Sequence, residues 1–211
     1  MTVPHEDIVG VVLAGGQARR MGERDKCLLE IDGRSLLARA IERLEPQVCT
    51  LVINANGDES RFSSFGQPVV KDTIEGFVGP LAGVLAGMRW ARRNVPTARF
   101  IVTIAADTPF FPLDLTNRLR ETSGEQSCLA LANSKGRVQP VFGLWPLSLA
   151  DHLEGALNSG MRRVQDWAGQ HEMVEVPFEV FEREGQEIDP FFNVNHPQDL
   201  AIAELLARKI F

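Results

Sequence analysis

Ile8-Val9-Gly10-Val11-Val12-Leu13-Ala14 is an unbroken apolar run that ends on Gly15-Gly16. A strand with one face in water alternates polar and apolar residues; a run with no polar position fits a strand buried on both faces, the habit of parallel sheets covered by helices. Nearly the same signature, broken by a single threonine each time, returns at Phe100-Ile101-Val102-Thr103-Ile104-Ala105-Ala106 and, more briefly, at 48–53. Between these runs the period changes. Leu36, Leu37, Ala40, Ile41 and Leu44 recur at helical spacing behind Ser35, a capping residue, and stop at Pro46. Gly79-Pro80-Leu81-Ala82-Gly83 opens a helix to about residue 93, with its proline near the first turn. A short strand is expected at 68–72, a helix at 113–121, strands at 128–132 and 140–145, and a helix at 147–157. Strands alternating with helices over short connections predict an α/β sandwich whose sheet is mainly parallel, with room for one antiparallel strand.

The bulk properties bound the function. At 211 residues, 44% hydrophobic and 24% charged, the chain has the composition of a soluble globular protein and is expected to form one domain over 1–211. A net charge of -6 argues against a nucleic-acid surface, which needs a basic face to displace counterions. No stretch reaches the roughly 20 apolar residues of a membrane span, and MTVPHEDIVG lacks the basic start of a secretory signal, so no membrane association and a cytoplasmic location are expected. Cys27, Cys49 and Cys128 have no CxxC spacing, and His5, His152, His171 and His196 form no HxxxH unit, so neither a disulfide framework nor a histidine-built metal site is indicated.

In folds of this class ligands bind beyond the carboxyl ends of the strands. Ala14-Gly15, Asn54, Asp72 and Asp107 all fall at or just past such ends, so residues remote in sequence are expected to converge on one rim. Gly15-Gly16 would let backbone N–H groups approach phosphate oxygens, and Arg19, Arg20, Arg24 and Lys26 gather positive charge on the same loop. A glycine pair alone more often marks only a turn; the adjoining cations shift the balance toward an anionic ligand. The spacing matches neither GxGxxG nor GxxxxGK[ST]. Asp107, before Thr108-Pro109, reads either as a side-chain-capped turn or as a hard oxygen ligand for Mg²⁺. Asn54 and Asp72 could meet base edges or ribose hydroxyls; each alone reads as a turn or surface residue first, and it is their shared strand-end location that raises them.

Leu13-Ala14-Gly15-Gly16-Gln17-Ala18-Arg19-Arg20-Met21-Gly22, with Asp25-Lys26, resembles the signature loop of the nucleotidyltransferases that make pterin-dinucleotide and sugar-nucleotide cofactors. Its RRMG…DK form is similar to that of the molybdenum cofactor guanylyltransferases. The likeness continues in order through Asn54, Asp72, Gly79–Gly83, Ala106-Asp107-Thr108-Pro109, Gln139-Pro140-Val141 and the segment Phe192-Asn193-Val194-Asn195-His196-Pro197-Gln198-Asp199-Leu200. His196 stands where that family often has threonine, and 173–189 matches nothing in it. The resemblance implies a Rossmann-like three-layer sandwich of the nucleotide-diphospho-sugar transferase type. It also implies transfer of GMP from GTP to molybdenum-bound molybdopterin, with Mg²⁺ as cofactor and release of pyrophosphate. It further implies that Leu13, Ala14, Gly15 and the adjoining Gly16 line the nucleotide, that Lys26 contacts its phosphates, that Asn54 and Asp72 bind it, and that Asp107 binds nucleotide and Mg²⁺.

Such a reaction needs no protein nucleophile: the acceptor's terminal phosphate attacks the α-phosphorus of GTP in line. Lys26, Arg20 and Asp107 are the residues expected to carry catalysis by aligning and neutralising charge. The N-terminal part is expected to hold nucleotide and the C-terminal part acceptor. Contacts with other cofactor-biosynthesis proteins or recipient apoenzymes, and a monomer or weak oligomer, complete the expectations. Rival readings are a cytidylyltransferase acting on the same pterin, a sugar-phosphate nucleotidyltransferase, and a noncatalytic nucleotide-binding adaptor. Met88, Trp90, Trp145 and Trp167 read as core rather than as a pterin-stacking surface, and Arg162-Arg163 reads as a solvated helix end rather than an acceptor-phosphate site.

Overall fold

A computed structural model describes residues 5–15, 25–74, 76, 79–124, 128–183 and 185–210. In chain order the strands and helices are β1 (His5–Leu13), β2 (Glu30–Ile31), β3 (Arg34–Ser35), α1 (Leu36–Leu44), β4 (Val48–Asn54), β5 (Val69–Val70) and α2 (Pro80–Asn94). They continue with β6 (Phe100–Ala105), α3 (Leu115–Ser123), β7 (Leu129–Ser134), β8 (Arg137–Pro146), α4 (Ala150–Asn158), α5 (Val164–Ala168), β9 (Met173–Pro177), β10 (Phe181–Arg183), β11 (Gln186–Ile188) and α6 (Pro197–Ile210).

Among the described residues, seven strands form the central sheet in the order β5-β4-β1-β6-β8-β7-β9. Only β8 runs against its neighbours; every other pairing is parallel. The apolar run at 8–13 is therefore the middle of a doubly covered sheet. Ile8 and Val12 face one layer with Leu37, Ile41 and Leu44 of α1 and Leu115 and Leu119 of α3. Val9 and Val11 face the other, with α2, α4 and α5. The three-layer sandwich follows from that alternation. Ser35 caps α1 by accepting a hydrogen bond from the Ala38 N–H at 3.1 Å.

The structure departs from the expected elements in several places: the β2–β3 hairpin, α5 and α6 are additional to them, and α3 begins and ends two residues later than 113–121. β7 and β8 reach further than 128–132 and 140–145 because Lys135 and Gly136, both with positive φ (52° and 70°), close them as a two-residue hairpin. Lysine seldom occupies that conformation, so Lys-Gly lacks the force of Asn-Gly as a turn signal. The uninterpreted stretch 173–189 contains β9, which pairs parallel to β7 at the sheet edge, and the β10–β11 hairpin. After it, α6 packs Ala203, Leu206 and Ala207 against Ile31, Leu36, Phe110, Ile188 and Val194, bringing the C-terminal segment beside the β2–β3 hairpin. Of the four residues read as core, Met88, Trp145 and Trp167 are buried, while Trp90 is only partly buried and packs against the core's edge. Among the described residues no helix is long and apolar enough to cross a membrane.

The contact between α2 and β1 is close because Gly87 has no side chain. A Cβ there would lie 2.5 Å from Val11 Cγ2, and Val11 is a stiff β-branched residue with no exposure. Overpacking costs about 1–3 kcal/mol, whereas replacing a helical glycine by alanine returns at most about 1 kcal/mol. Gly87→Ala is therefore expected to lower the melting temperature by roughly 2–8 °C in a thermal denaturation experiment; an unchanged or raised midpoint would show that Val11 yields freely.

Candidate functional site

The parallel strands bring the site together through the backbone. Leu13 pairs with Asn54 on one side and Ala105 on the other, and Asn54 with Val70. Hydrogen bonding continues past the strand ends: Ala14 N–H donates to Asn54 O at 2.9 Å, Ala106 N–H to Leu13 O at 3.1 Å, and Ala55 N–H to Val70 O at 3.0 Å. Leu13, Ala14, Gly15, Asn54, Asp72 and Asp107 thus lie along one rim. From β1 the chain moves to β4 and β5 on one side, then crosses to β6 on the other. That reversal of direction is where open α/β sheets bind ligands.

At the β6 side of the rim, Lys26 Nζ forms an ion pair with Asp107 and donates to Asn195 Oδ1 at 2.6 Å. Lys26 belongs to a short 3₁₀ turn, Lys26–Leu28. The Lys26 and Asp107 side chains keep 22% and 23% exposure, so each remains reachable from solvent. The Asp107 carbonyl accepts from Val194 N–H at 2.9 Å. The Asn193 amide lies 2.8 Å from Thr108 Oγ1, and turning its nitrogen toward Asp107 gives that carboxylate a further donor. Asn193 and Asn195 therefore belong to the site, although sequence reasoning assigned them no role. Their signal was the pair of amides flanking Val194, which is fully buried.

At the β4–β5 side, Asp72 is clamped. Asn54 Nδ2 donates to Asp72 Oδ1 at 3.0 Å and to Val70 O at 3.1 Å. Asn56 Nδ2 donates to Asp72 Oδ2 at 2.8 Å, and Asn56 Oδ1 accepts from the Asp72 N–H at 3.0 Å. Asn54, buried at 4% exposure, thus commits both amide hydrogens to the protein, and what it can still offer is Oδ1. That oxygen faces α2, where a Cβ on Gly83 would come within 2.2 Å of it. Gly79, at φ 78°, precedes Pro80 at the start of α2 and is dictated by its backbone conformation, whereas Gly83 is dictated by the close approach of the Asn54 and Leu13 side chains.

Cys27 adjoins Lys26, but burial, and secondly the charge of Asp25, push its thiol up to about 12. It stays protonated and is not a nucleophile. Arg162 Nη1 donates to the carbonyls of Leu157 and Met161 at 2.9 and 2.7 Å, closing the end of α4, which is the helix-end role expected of it. Gly16 and Arg20, with Arg19 and Arg24, lie outside the described residues.

The MobA-like NTP transferase domain family matches residues 10–174. The molybdenum cofactor guanylyltransferase of Mesorhizobium japonicum is 47% identical over 206 residues, covering 97% of this chain and 98% of the relative. The enzyme of the same name from Rhodopseudomonas palustris (strain BisB5) is 47% identical over 205 residues, covering 96% and 95%. Among solved structures, molybdopterin-guanine dinucleotide biosynthesis protein A from Archaeoglobus fulgidus superposes with a TM-score of 0.73 at 24% identity, over 96% of this chain and 100% of that one. The superposition carries the fold. The sequence matches carry the family, and with them the chain belongs to the molybdenum cofactor guanylyltransferases within the MobA-like NTP transferases.

Proposed function

We propose that this chain transfers GMP from GTP to the terminal phosphate of molybdenum-bound molybdopterin, giving the guanine dinucleotide form of the cofactor and pyrophosphate. The observation that carries the reading is the Lys26–Asp107 pair at the sheet's reversal point, on the same rim as the clamped Asp72. A nucleoside triphosphate laid along that rim presents its sugar and base to Asp72 and its phosphates to Lys26. The bond from the α-phosphorus to the β-phosphate bridging oxygen breaks as an acceptor phosphate oxygen bonds to that phosphorus from the opposite side.

The residues act by holding charge and position. Lys26 neutralises negative charge on the phosphates, and Asn195 steadies its ammonium from the other side. Asp72, with both oxygens already oriented by Asn54 and Asn56, accepts hydrogen bonds from nucleoside hydroxyls or base N–H groups. No general base is required, since a phosphate monoester is already largely ionised near neutral pH. Arg20 and Gly16 join the phosphate side in this proposal. Asp107 is a single, partly open carboxylate, and no group of three or more metal-binding side chains is found among the described residues. That donor set suits an ion that takes one carboxylate and completes its shell with phosphate oxygens and water, the habit of Mg²⁺. Mg²⁺ held by Asp107 would supply further neutralisation of the triphosphate. Residues 1–211 act as one nucleotidyltransferase domain, nucleotide toward the N-terminal part and acceptor toward the C-terminal part, in the cytoplasm.

Lys26→Ala is expected to lower turnover by about 10²–10³-fold, the loss typical of a removed charge-stabilising donor; near-normal pyrophosphate release would take Lys26 out of the mechanism. Asp107→Asn should flatten the Mg²⁺ dependence of pyrophosphate release while the melting temperature changes little, and an unaltered metal titration would refute the assignment. With Mg²⁺ present, GTP should raise the melting temperature more than CTP, ATP or UTP at equal concentration. A larger shift with CTP would favour the cytidylyltransferase rival, and no pyrophosphate from any nucleotide with molybdopterin would favour the noncatalytic one.

A further inference from the structure

Between the two halves of the rim runs a connection that the proposed reaction does not itself require. Arg61 Nη1 lies 2.7 Å from both Asp25 Oδ1 and Asp25 Oδ2, and Arg61 Nη2 donates to the backbone carbonyl of Asn56. Asp25 directly precedes Lys26, and its carbonyl accepts from Leu28 N–H at 2.9 Å to close the turn that carries Lys26. Asn56 holds Asp72 through two hydrogen bonds. One guanidinium therefore joins the turn bearing the phosphate-side cation to the loop after β4 whose Asn56 holds the nucleoside-side carboxylate.

Arg61 is itself fixed. It sits in a 3₁₀ helix, Glu59–Phe65, capped by Asp58, whose Oδ1 accepts from Ser60 N–H at 2.9 Å. Phe62 anchors that helix at 1% exposure, and the guanidinium lies over the Phe62 ring, 4.8 Å from its centroid. Gly57, at φ 88°, turns the chain between Asn56 and the helix. The geometry uses what distinguishes arginine from lysine: a planar fork that reaches two acceptors at once in a fixed arrangement.

We infer that Arg61 is a positioning residue that sets the spacing between the phosphate half and the nucleoside half of the site. The inference rests on the proposed nucleotide reading. A triphosphate nucleotide has a fixed span, so it gains from both halves only when they are held at the matching separation. Guanosine or pyrophosphate, each using one half, is indifferent to that separation. Losing Arg61 therefore weakens the whole more than its parts. An ordinary stabilising ion pair would act differently, lowering stability and every affinity together.

The test compares wild type, Arg61→Ala and Arg61→Lys by calorimetric binding of GTP, guanosine and pyrophosphate with Mg²⁺ present, alongside thermal denaturation and steady-state pyrophosphate release. In Arg61→Ala, GTP affinity is expected to fall about tenfold and kcat/KM about 10–100-fold, the scale of a small misplacement of aligned groups, while guanosine and pyrophosphate affinities stay within about twofold. Arg61→Lys keeps a charge beside Asp25 but cannot also reach Asn56, so it should recover little of the GTP loss. Wild-type GTP affinity in Arg61→Ala, full recovery in Arg61→Lys, or parallel weakening of all three ligands with a lowered melting temperature would each overturn the inference. Wild type that binds no nucleotide would instead sink the functional reading, and the inference with it.

Discussion

The ion pair between Lys26 and Asp107 spans the place where the sheet reverses its winding, and the site is arranged around it. Its worth to stability is small, since pairs with this much solvent contact contribute roughly 0–1 kcal/mol. Its geometry is instead a product of the sheet. Leu13 sits in register with both Asn54 and Ala105, so the chain emerges from three strands at one level. Val194 N–H then secures the Asp107 backbone from the C-terminal side. The core decides where the pair stands, and the pair in turn presents a cation and an anion side by side to solvent.

How much of this the sequence discloses depends on where each element's partners lie. β1 and β6 are legible because burial on both faces leaves an apolar run with no competing reading, and α1 because its cap, period and proline stop agree. β9 is not: the alternation in Met-Val-Glu-Val-Pro covers only Val174-Glu175-Val176, with Val176 alone fully buried, too short a stretch to mark a strand. α6 packs on Ile31, Leu36 and Phe110, partners far away in the chain, so the cause of its apolar positions is invisible locally. The Lys135-Gly136 turn hides for a different reason, since its conformation is imposed by the strands it joins rather than by turn-forming side chains.

The site divides in the same way. Lys26 and Asp107 stand out because a carboxylate at a strand end and a cation in a glycine loop are chemically conspicuous. Asn54 is conspicuous too, yet its bonding is not: in the structure its amide hydrogens go to Val70 and Asp72, so it shapes the site through the carboxylate it holds. Asn193 and Asn195 required the fold to bring a segment more than 80 residues away onto Asp107. Arg61 was least legible, because nothing in Glu-Ser-Arg-Phe tells an arginine that joins two loops from one that faces water.

The polar groups at the rim are already paired with one another, and this bears on what can enter. On the proposed reading, a triphosphate takes Lys26 while a divalent cation takes Asp107, so each member of the pair exchanges one partner for another. Either guest alone fits badly. A bare triphosphate drawing Lys26 away would leave the Asp107 carboxylate facing its negative charge, and a bare cation at Asp107 would face the Lys26 ammonium. In a partly desolvated site such like-charge contacts cost more than they do in water. Only the two guests together leave both protein charges matched, so the resting pair favours the metal–nucleotide complex over its components. Because the side chains are held before anything binds, little conformational entropy is lost when the exchange occurs, and the affinity that remains is available for alignment at the α-phosphorus.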